Sequence, residues 1–380
     1  MVETKRKIKP ESPEEPHDHR TATGTWEKRR EKIRGSAFGP ALLKILSLIF
    51  WCALLLRKAI YQLGLKKPLR LPARVISIGN LSVGGTGKTP AAILAAETLH
   101  LHGKSLAILS RGYNRLRDAS EVVTLLDDNP PHWEECGDEP WMMHQALFGL
   151  NIPILVSKNR VRAGQEAITF YHSKALILDD GFQHWKIKRD LDIVLVNAAA
   201  PFTADHLLPS GNLREPASSL KRAHLVVITH ADLISTEDLK VLREKIEEKN
   251  SRAEIIEAVH APDFLLDLKS QRRLDVSLLE GRRIVTLSGI AYPQLFENQL
   301  KDLGAKIEQR WRYPDHHPYQ IEELKALETM RAGRALITTL KDATRLPLGW
   351  KETFSGEFYA LAIKLKITQG QEIWEKALLG

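Results

Sequence analysis

Residues 79–90 read Gly79-Asn-Leu-Ser-Val-Gly-Gly-Thr-Gly-Lys-Thr-Pro90, a glycine-rich turn between the apolar run Arg74-Val-Ile-Ser-Ile78 and the alanine-rich stretch Ala91 to Leu101. The order is strand, loop, helix. Such a turn aims successive backbone N–H groups and a helix N-terminus at one point, where polyphosphate oxygens are held. In the pattern G-x-x-x-x-G-K-S/T the lysine reaches the β/γ-phosphates and the hydroxyl takes magnesium. Ser82, Val83, Gly84, Gly85, Thr86, Gly87, Lys88 and Thr89 are therefore the expected nucleotide-binding residues, and the expected ligand is a nucleoside triphosphate. Ser82 stands where the pattern has its first glycine, but Gly84, Gly85 and Gly87 keep the loop pliable.

From this loop onward, short apolar runs alternate with helical patterns: Val75 to Ile78, Ser105 to Leu109, Ile152 to Val156, Ala175 to Leu178, Asp192 to Val196 and Leu225 to Ile228. Runs this continuous in Val, Ile and Leu predict parallel strands covered on both faces, and hence an α/β fold. Ligands of such sheets sit beyond the carboxyl ends of the strands. Ala175-Leu-Ile-Leu-Asp179-Asp180 has the form of a strand whose terminal carboxylates hold magnesium, and two adjacent carboxylates favour a cation because they repel when both are ionised. Thr229-His230-Ala231-Asp232 is similar to the base-reading N/T-K-x-D pattern of GTPases, with histidine in place of lysine, which argues against guanine specificity.

A second set of elements begins beyond about residue 250: strands at Glu254 to Val259, Arg283 to Leu287, Lys306 to Trp311, Ala335 to Thr339 and Phe358 to Leu365, and helices at Pro293 to Leu303, Tyr319 to Arg331 and Gly370 to Leu379. The chain thus divides into 66–250, a phosphate-loop kinase domain, and 251–380, a smaller α/β domain. Residues 1–36 carry too little apolar surface to offset ordering entropy and are expected to stay unfolded. Residues 37–65 are different in character. Ile45 to Leu56 is uninterrupted apolar sequence, shorter than the roughly 20 residues of a span, and basic residues flank it on both sides. Lys28, Arg29, Arg30, Lys32 and Arg34 precede it and Arg57, Lys58, Lys66, Lys67 and Arg70 follow, which suits a helix lying in or dipping into an anionic leaflet. The net charge of +8 implies an acidic partner, and two cysteines, Cys52 and Cys136, are too few for a disulfide framework.

Taken together, Asn80 to Pro90, Ser110-Arg-Gly-Tyr113, Gly137-Asp-Glu-Pro140, Asp179-Asp-Gly-Phe-Gln-His184, Pro209-Ser-Gly-Asn-Leu-Arg-Glu-Pro216, Asp315-His316 and Thr338-Thr-Leu-Lys-Asp-Ala343 resemble the tetraacyldisaccharide 4'-kinases, the lipid A 4'-kinases, over roughly residues 37 to 365. The serine at position 82 is shared by that family's loop. The resemblance implies transfer of the γ-phosphate of ATP, with Mg2+, to the 4'-hydroxyl of a tetraacylated glucosamine disaccharide 1-phosphate at the cytoplasmic face of the inner membrane. It calls for that lipid surface and implies no nucleic acid and no protein partner. It further implies that Asp138 and His316 join Lys88 as catalytic residues, that Thr89, Asp179 and Asp180 hold the metal, and that Arg111, Glu139, Gln183, His184 and Arg214 meet the substrate. The residues by themselves also allow a kinase of another membrane amphiphile, or a membrane-associated nucleotide switch.

Overall fold

No charged residue interrupts the chain from Val75 to Gly87, so its first part can be buried on both faces, and Arg74–Asn80 forms strand β1, buried from Val75 onward. In the computed structural model, which describes residues 25–36, 38–113, 115, 121–127, 130–202, 205–290, 292–315 and 317–380, the strands that follow are β2 (Leu106–Ser110), β3 (Val123–Leu125), β4 (Ile154–Val156), β5 (Ala175–Asp179), β6 (Leu191–Asn197), β7 (Leu225–Thr229) and β8 (Glu254–Asp267). Their order is β8-β7-β6-β1-β5-β2-β4-β3. Neighbours pair in parallel except β3 with β4.

Because side chains of a strand alternate between faces, each strand feeds two cores. Ile76, Ile78, Ala175 and Ile177 pack with Ala91, Ala92, Ala95, Ala96 and Leu99, whereas Val75, Leu176 and Leu178 pack with Ala163 and Ala167. The helices behind these cores are numbered in chain order: α1 (Thr25–Arg34), α2 (Gly39–Gln62), α3 (Lys88–Leu101), α4 (Trp133–Cys136), α5 (Asp138–Ala146), α6 (Arg160–Tyr171) and α7 (Thr236–Lys249). Small residues on α3 and α6 bring both helices close to the sheet from opposite sides. The α/β architecture with its parallel strands and its single long apolar N-terminal helix is the one the sequence predicts.

The chain divides into a larger unit, containing Arg29–Ala261 and Lys364–Gly380, and a smaller one containing Pro262–Ile363. The smaller unit holds the second half of β8, then β9 (Arg273–Leu274), β10 (Arg283–Ser288), β11 (Lys306–Arg312), β12 (Ala335–Thr339) and the first half of β13 (Phe358–Gln369), in the order β11-β10-β12-β13-β8, with β9 antiparallel to β8. Its core joins Leu265, Ile284, Phe296, Leu300, Ile337 and Leu361.

The sequence reading divides the chain near residue 250 and places the whole C-terminus in the smaller domain; the units instead divide after Ala261, and the C-terminal helix Gln371–Leu379 packs in the larger one. The cause is Trp374, fully buried among the residues of α3, with its indole N–H donated to the Thr98 hydroxyl at 3.1 Å. Residues 1–36 also need correction in part. Residues 1–24 lie outside the described residues, but Thr25–Arg34 is helical. Arg30 donates to the Gly211 carbonyl at 2.9 Å and to Asn212 Oδ1 at 2.7 Å, and Arg34 donates to the Ser210 carbonyl. A segment with few apolar residues is held here by charge-assisted hydrogen bonds, a source of order that apolar content does not reveal.

We predict that Trp374→Ala lowers the stability of the larger unit by about 3–5 kcal/mol, the usual range for emptying a buried tryptophan site. Urea unfolding measures this. A loss below about 1 kcal/mol would mean that the C-terminal helix is not part of that core.

Candidate active site

The parallel register pairs Ile78 of β1 with Asp179 of β5, so the loop after Gly79 and the carboxylates ending β5 leave the sheet side by side. The two turns then pack at backbone distance. A side chain at Gly79 would place its Cβ 2.6 Å from Phe182 Cβ, and one at Gly181 would meet Leu178 Cβ at 2.6 Å. Gln183 Nε2 donates to the Asn80 carbonyl at 2.9 Å, and Asn80 Nδ2 to Thr86 Oγ1 at 2.8 Å, so the second turn braces the first.

Ser82 is not at a pliable glycine position. It bridges Leu213 in antiparallel fashion, flanked by Val83 N–H to the Asn212 carbonyl at 2.8 Å and Arg214 N–H to the Leu81 carbonyl at 2.7 Å. An extended strand residue has no use for glycine, which is why serine serves. Gly84 and Gly87 do need theirs, at φ of 110° and 82°, and Gly87 opens α3 with Lys88 and Thr89 in its first turn.

Lys88 Nζ lies 3.9 Å from Asp180 Oδ1. Arg214 Nη1 contacts both Asp180 oxygens, at 3.0 and 2.7 Å. Burial disfavours the Asp180 carboxylate, but Lys88 and Arg214 outweigh it and hold its pKa below the ordinary range. Asp179 is the opposite case: burial, and then the charge of Asp180, push it up, although Arg160, Lys88 and the Ser110 hydroxyl at 3.0 Å pull the other way. Arg160, itself buried, donates to the Asp180 carbonyl at 3.2 Å. Sequence reasoning missed Arg160, Ser110 and Asn80 as parts of this site; Ser110 and Asn80 lie inside the quoted motifs, but nothing in the local text of α6 marks Arg160.

Asp138 begins α5 and accepts the Glu139 N–H at 2.9 Å. The turn before it touches the turn after β2: a Cβ on Gly112 would lie 2.7 Å from the Cys136 carbonyl, and one on Gly137 3.1 Å from the Tyr113 carbonyl. Arg111, on the first of these turns, and Glu139, in the opening turn of α5, are exposed. His184 is half-buried, and burial followed by Arg160 and three other cations takes its pKa down to about 4, so its ring is neutral at physiological pH. Its backbone neighbour Gln183 accepts a hydrogen bond from Arg57 of α2 at 2.6 Å.

His316 lies outside the described residues. Around it in the sequence, the smaller unit is ordered by Asp342, fully buried, whose carboxylate accepts from Gly289 N–H at 2.9 Å, Tyr319 O–H at 2.9 Å, Thr339 O–H at 2.6 Å and Arg345 at 2.8 Å. His317 is engaged elsewhere, with Nε2 3.0 Å from Glu323 and its ring 4.5 Å from that of Tyr313. The motif residues 338–343 therefore include a structural anchor that sequence alone does not separate from a catalytic group.

A family model described as tetraacyldisaccharide-1-P 4'-kinase matches residues 40–379. The chain belongs to that family. Among its relatives, the tetraacyldisaccharide 4'-kinase of Elusimicrobium minutum is 39% identical over 347 residues, covering 91% of this chain and 92% of that one. The enzyme of the same name from Anaeromyxobacter dehalogenans strain 2CP-C is 38% identical, with 93% of each chain covered. A crystal structure of LpxK from Aquifex aeolicus in complex with ATP superposes with a TM-score of 0.72 at 29% identity, covering 90% of this chain and 98% of that one. The kinase assignment, and with it ATP-dependent 4'-phosphorylation in the making of the lipid A precursor, agrees with the resemblance seen in the sequence.

Removing the Lys88 ammonium leaves the loop without its fixed positive charge. Lys88→Ala is expected to reduce kinase turnover on the order of a hundred- to a thousandfold, as for comparable electrostatic groups. Turnover within a few-fold of the unaltered enzyme would take this loop out of the mechanism.

Proposed function

We propose that this kinase transfers the γ-phosphate of ATP in line to the 4'-hydroxyl of a tetraacylated glucosamine disaccharide 1-phosphate, working at the cytoplasmic face of the inner membrane. The observation that carries the reading is the charge cluster at the ends of β1 and β5, where Lys88, Arg214 and Arg160 surround a carboxylate pair beside the phosphate loop. Backbone N–H groups of Gly84 to Thr89 would cradle the polyphosphate, with Lys88 at its transferring end.

The carboxylates fit magnesium. Among the described residues no three His, Cys, Asp or Glu side chains form a ready metal cage, but magnesium keeps waters and phosphate oxygens in its shell and needs only one or two protein carboxylates. The upward push on Asp179 from burial and Asp180 is what a bound cation would relieve. Thr89, Asp179 and Asp180 would hold the ion, which supplies neutralisation of charge on the β- and γ-phosphate oxygens. Arg214, paired with Asp180, is assigned with Arg111, Glu139, Gln183 and His184 to the substrate side.

Asp138 takes the proton of the attacking hydroxyl, and His316 acts with it as a functional pair. A carboxylate is a weak base toward an alcohol, and a second group that takes part in the proton transfer strengthens it. Asp138→Asn and His316→Ala are each expected to reduce turnover by roughly 10²–10⁴. The double variant should lose little more than the worse single one, because residues acting as a unit are non-additive. Fully additive losses in steady-state kinetics would dissolve the pair, and a dead His317→Ala beside a near-normal His316→Ala would move the role by one residue.

Membrane association rests on α2. Its 24 residues are long and apolar enough to cross a bilayer, and only Gly39 and Leu43 are buried in the protein. Ser47 ties it down by donating to the Leu207 carbonyl at 3.0 Å and accepting the Ser210 N–H at 3.0 Å, and Arg57 lies over Trp185. Ile45, Ile49 and Leu56 face outward, each more than half exposed. Replacing these three by glutamate should move the protein from the membrane pellet to the soluble fraction, since each charge disfavours insertion by roughly 2.5–3.5 kcal/mol. Unchanged sedimentation would assign the anchoring to another surface.

A further inference from the structure

Strands β6, β7 and β8 extend from β1 on the side away from β5. The carboxylates and the transferring end of the nucleotide belong to the β5 side. If the loop Gly84 to Thr89 holds the phosphates of ATP, as proposed above, the nucleoside leaves in the other direction, toward the carboxyl ends of β7 and β8.

Two histidines stand there. His230 follows β7 in the left-handed conformation, φ 55°, and stacks on His260 of β8 with ring centroids 4.1 Å apart and planes 23° from parallel. His260 in turn lies against the start of α3: a Cβ on Gly87 would sit 2.5 Å from its Nε2. Both residues are half-buried, so part of the pair faces outward. Burial lowers the pKa of both, and with His230 beside it that of His260 falls to about 3, which leaves the rings uncharged at physiological pH. Flat, neutral and held at the edge of the phosphate loop, the pair has the chemistry of a stacking surface. At this position the GTPase pattern has a lysine, whose stem offers an alkyl surface rather than a π face.

We propose that the stacked His230 and His260 form the purine platform of the nucleotide site, on which the adenine ring of ATP packs, with His230 as a specificity-determining residue. His260 has a second task, to support Gly87 and so the phosphate loop. His230 reaches the stack from the end of β7, which makes it the cleaner probe.

Calorimetric titration of the full-length protein with ATP and with inorganic triphosphate separates base from phosphate. His230→Ala is expected to weaken ATP about tenfold, in keeping with the loss of one stacked ring, with triphosphate affinity unchanged within twofold. His230→Phe should restore ATP binding, and in turnover assays the loss should fall on KM for ATP with kcat retained. Equal weakening of ATP and triphosphate by His230→Ala, or unaltered ATP affinity, would overturn the platform. Lys88→Ala serves as the control for the underlying reading. It should weaken both ligands, and if it weakens neither, the phosphate assignment fails and the platform with it.

Discussion

Parallel pairing of β1 with β5, in the register that sets Ile78 beside Asp179, is the constraint on which the site depends. It delivers a lysine from one strand-to-helix turn and two carboxylates from the next strand to the same edge of the sheet. Once there, the charges sort themselves by surroundings. Asp180, with Lys88 and Arg214 in contact, remains an anion, whereas Asp179, buried behind it, is pushed toward its neutral form. Two identical groups, adjacent in the chain, thereby acquire different acidities, because one faces cations and the other faces the interior.

The turns that carry these groups are shaped by close backbone approach rather than by the chemistry they serve. Gly79 and Gly181 are required because Phe182 and Leu178 occupy the space a side chain would need, and Gln183 and Asn80 then lock the turns together. Much of Asp179-Asp-Gly-Phe-Gln-His184 is therefore packing. Its Phe182 is fully buried under the guanidinium of Arg222, 4.2 Å from the ring centre.

The N-terminal region shows a different balance. A helix that leaves most of its apolar residues outside the protein must be held by what remains, and here that includes Leu43, the Ser47 hydroxyl, Arg57 and the ring of Tyr61 against Trp185. Arg30 and Arg34 of α1 reach the same 207–213 segment that Ser47 contacts, and this segment also bridges to Ser82 through Leu213. The apolar helix and the phosphate loop thus share one short stretch of backbone, Leu207 to Leu213, as a common support.

The sequence by itself determined the fold class and the phosphate loop. An uncharged Val/Ile run, a glycine turn and an alanine-rich helix are local features, and nothing distant is needed to read them. It also determined the family, because seven short motifs recur in one order. Only the tertiary structure decided where the units divide and what the individual motif residues do. Trp374 joins the larger unit across nearly three hundred residues through Thr98. Asp342 is an internal anchor, and His317 is committed to Glu323. Arg160 enters the site from a helix with no telling motif, and His230 meets His260. Each of these depends on a side chain meeting a partner far away in the chain, and the energies of burial and pairing that set its role exist only after the strands have been placed side by side.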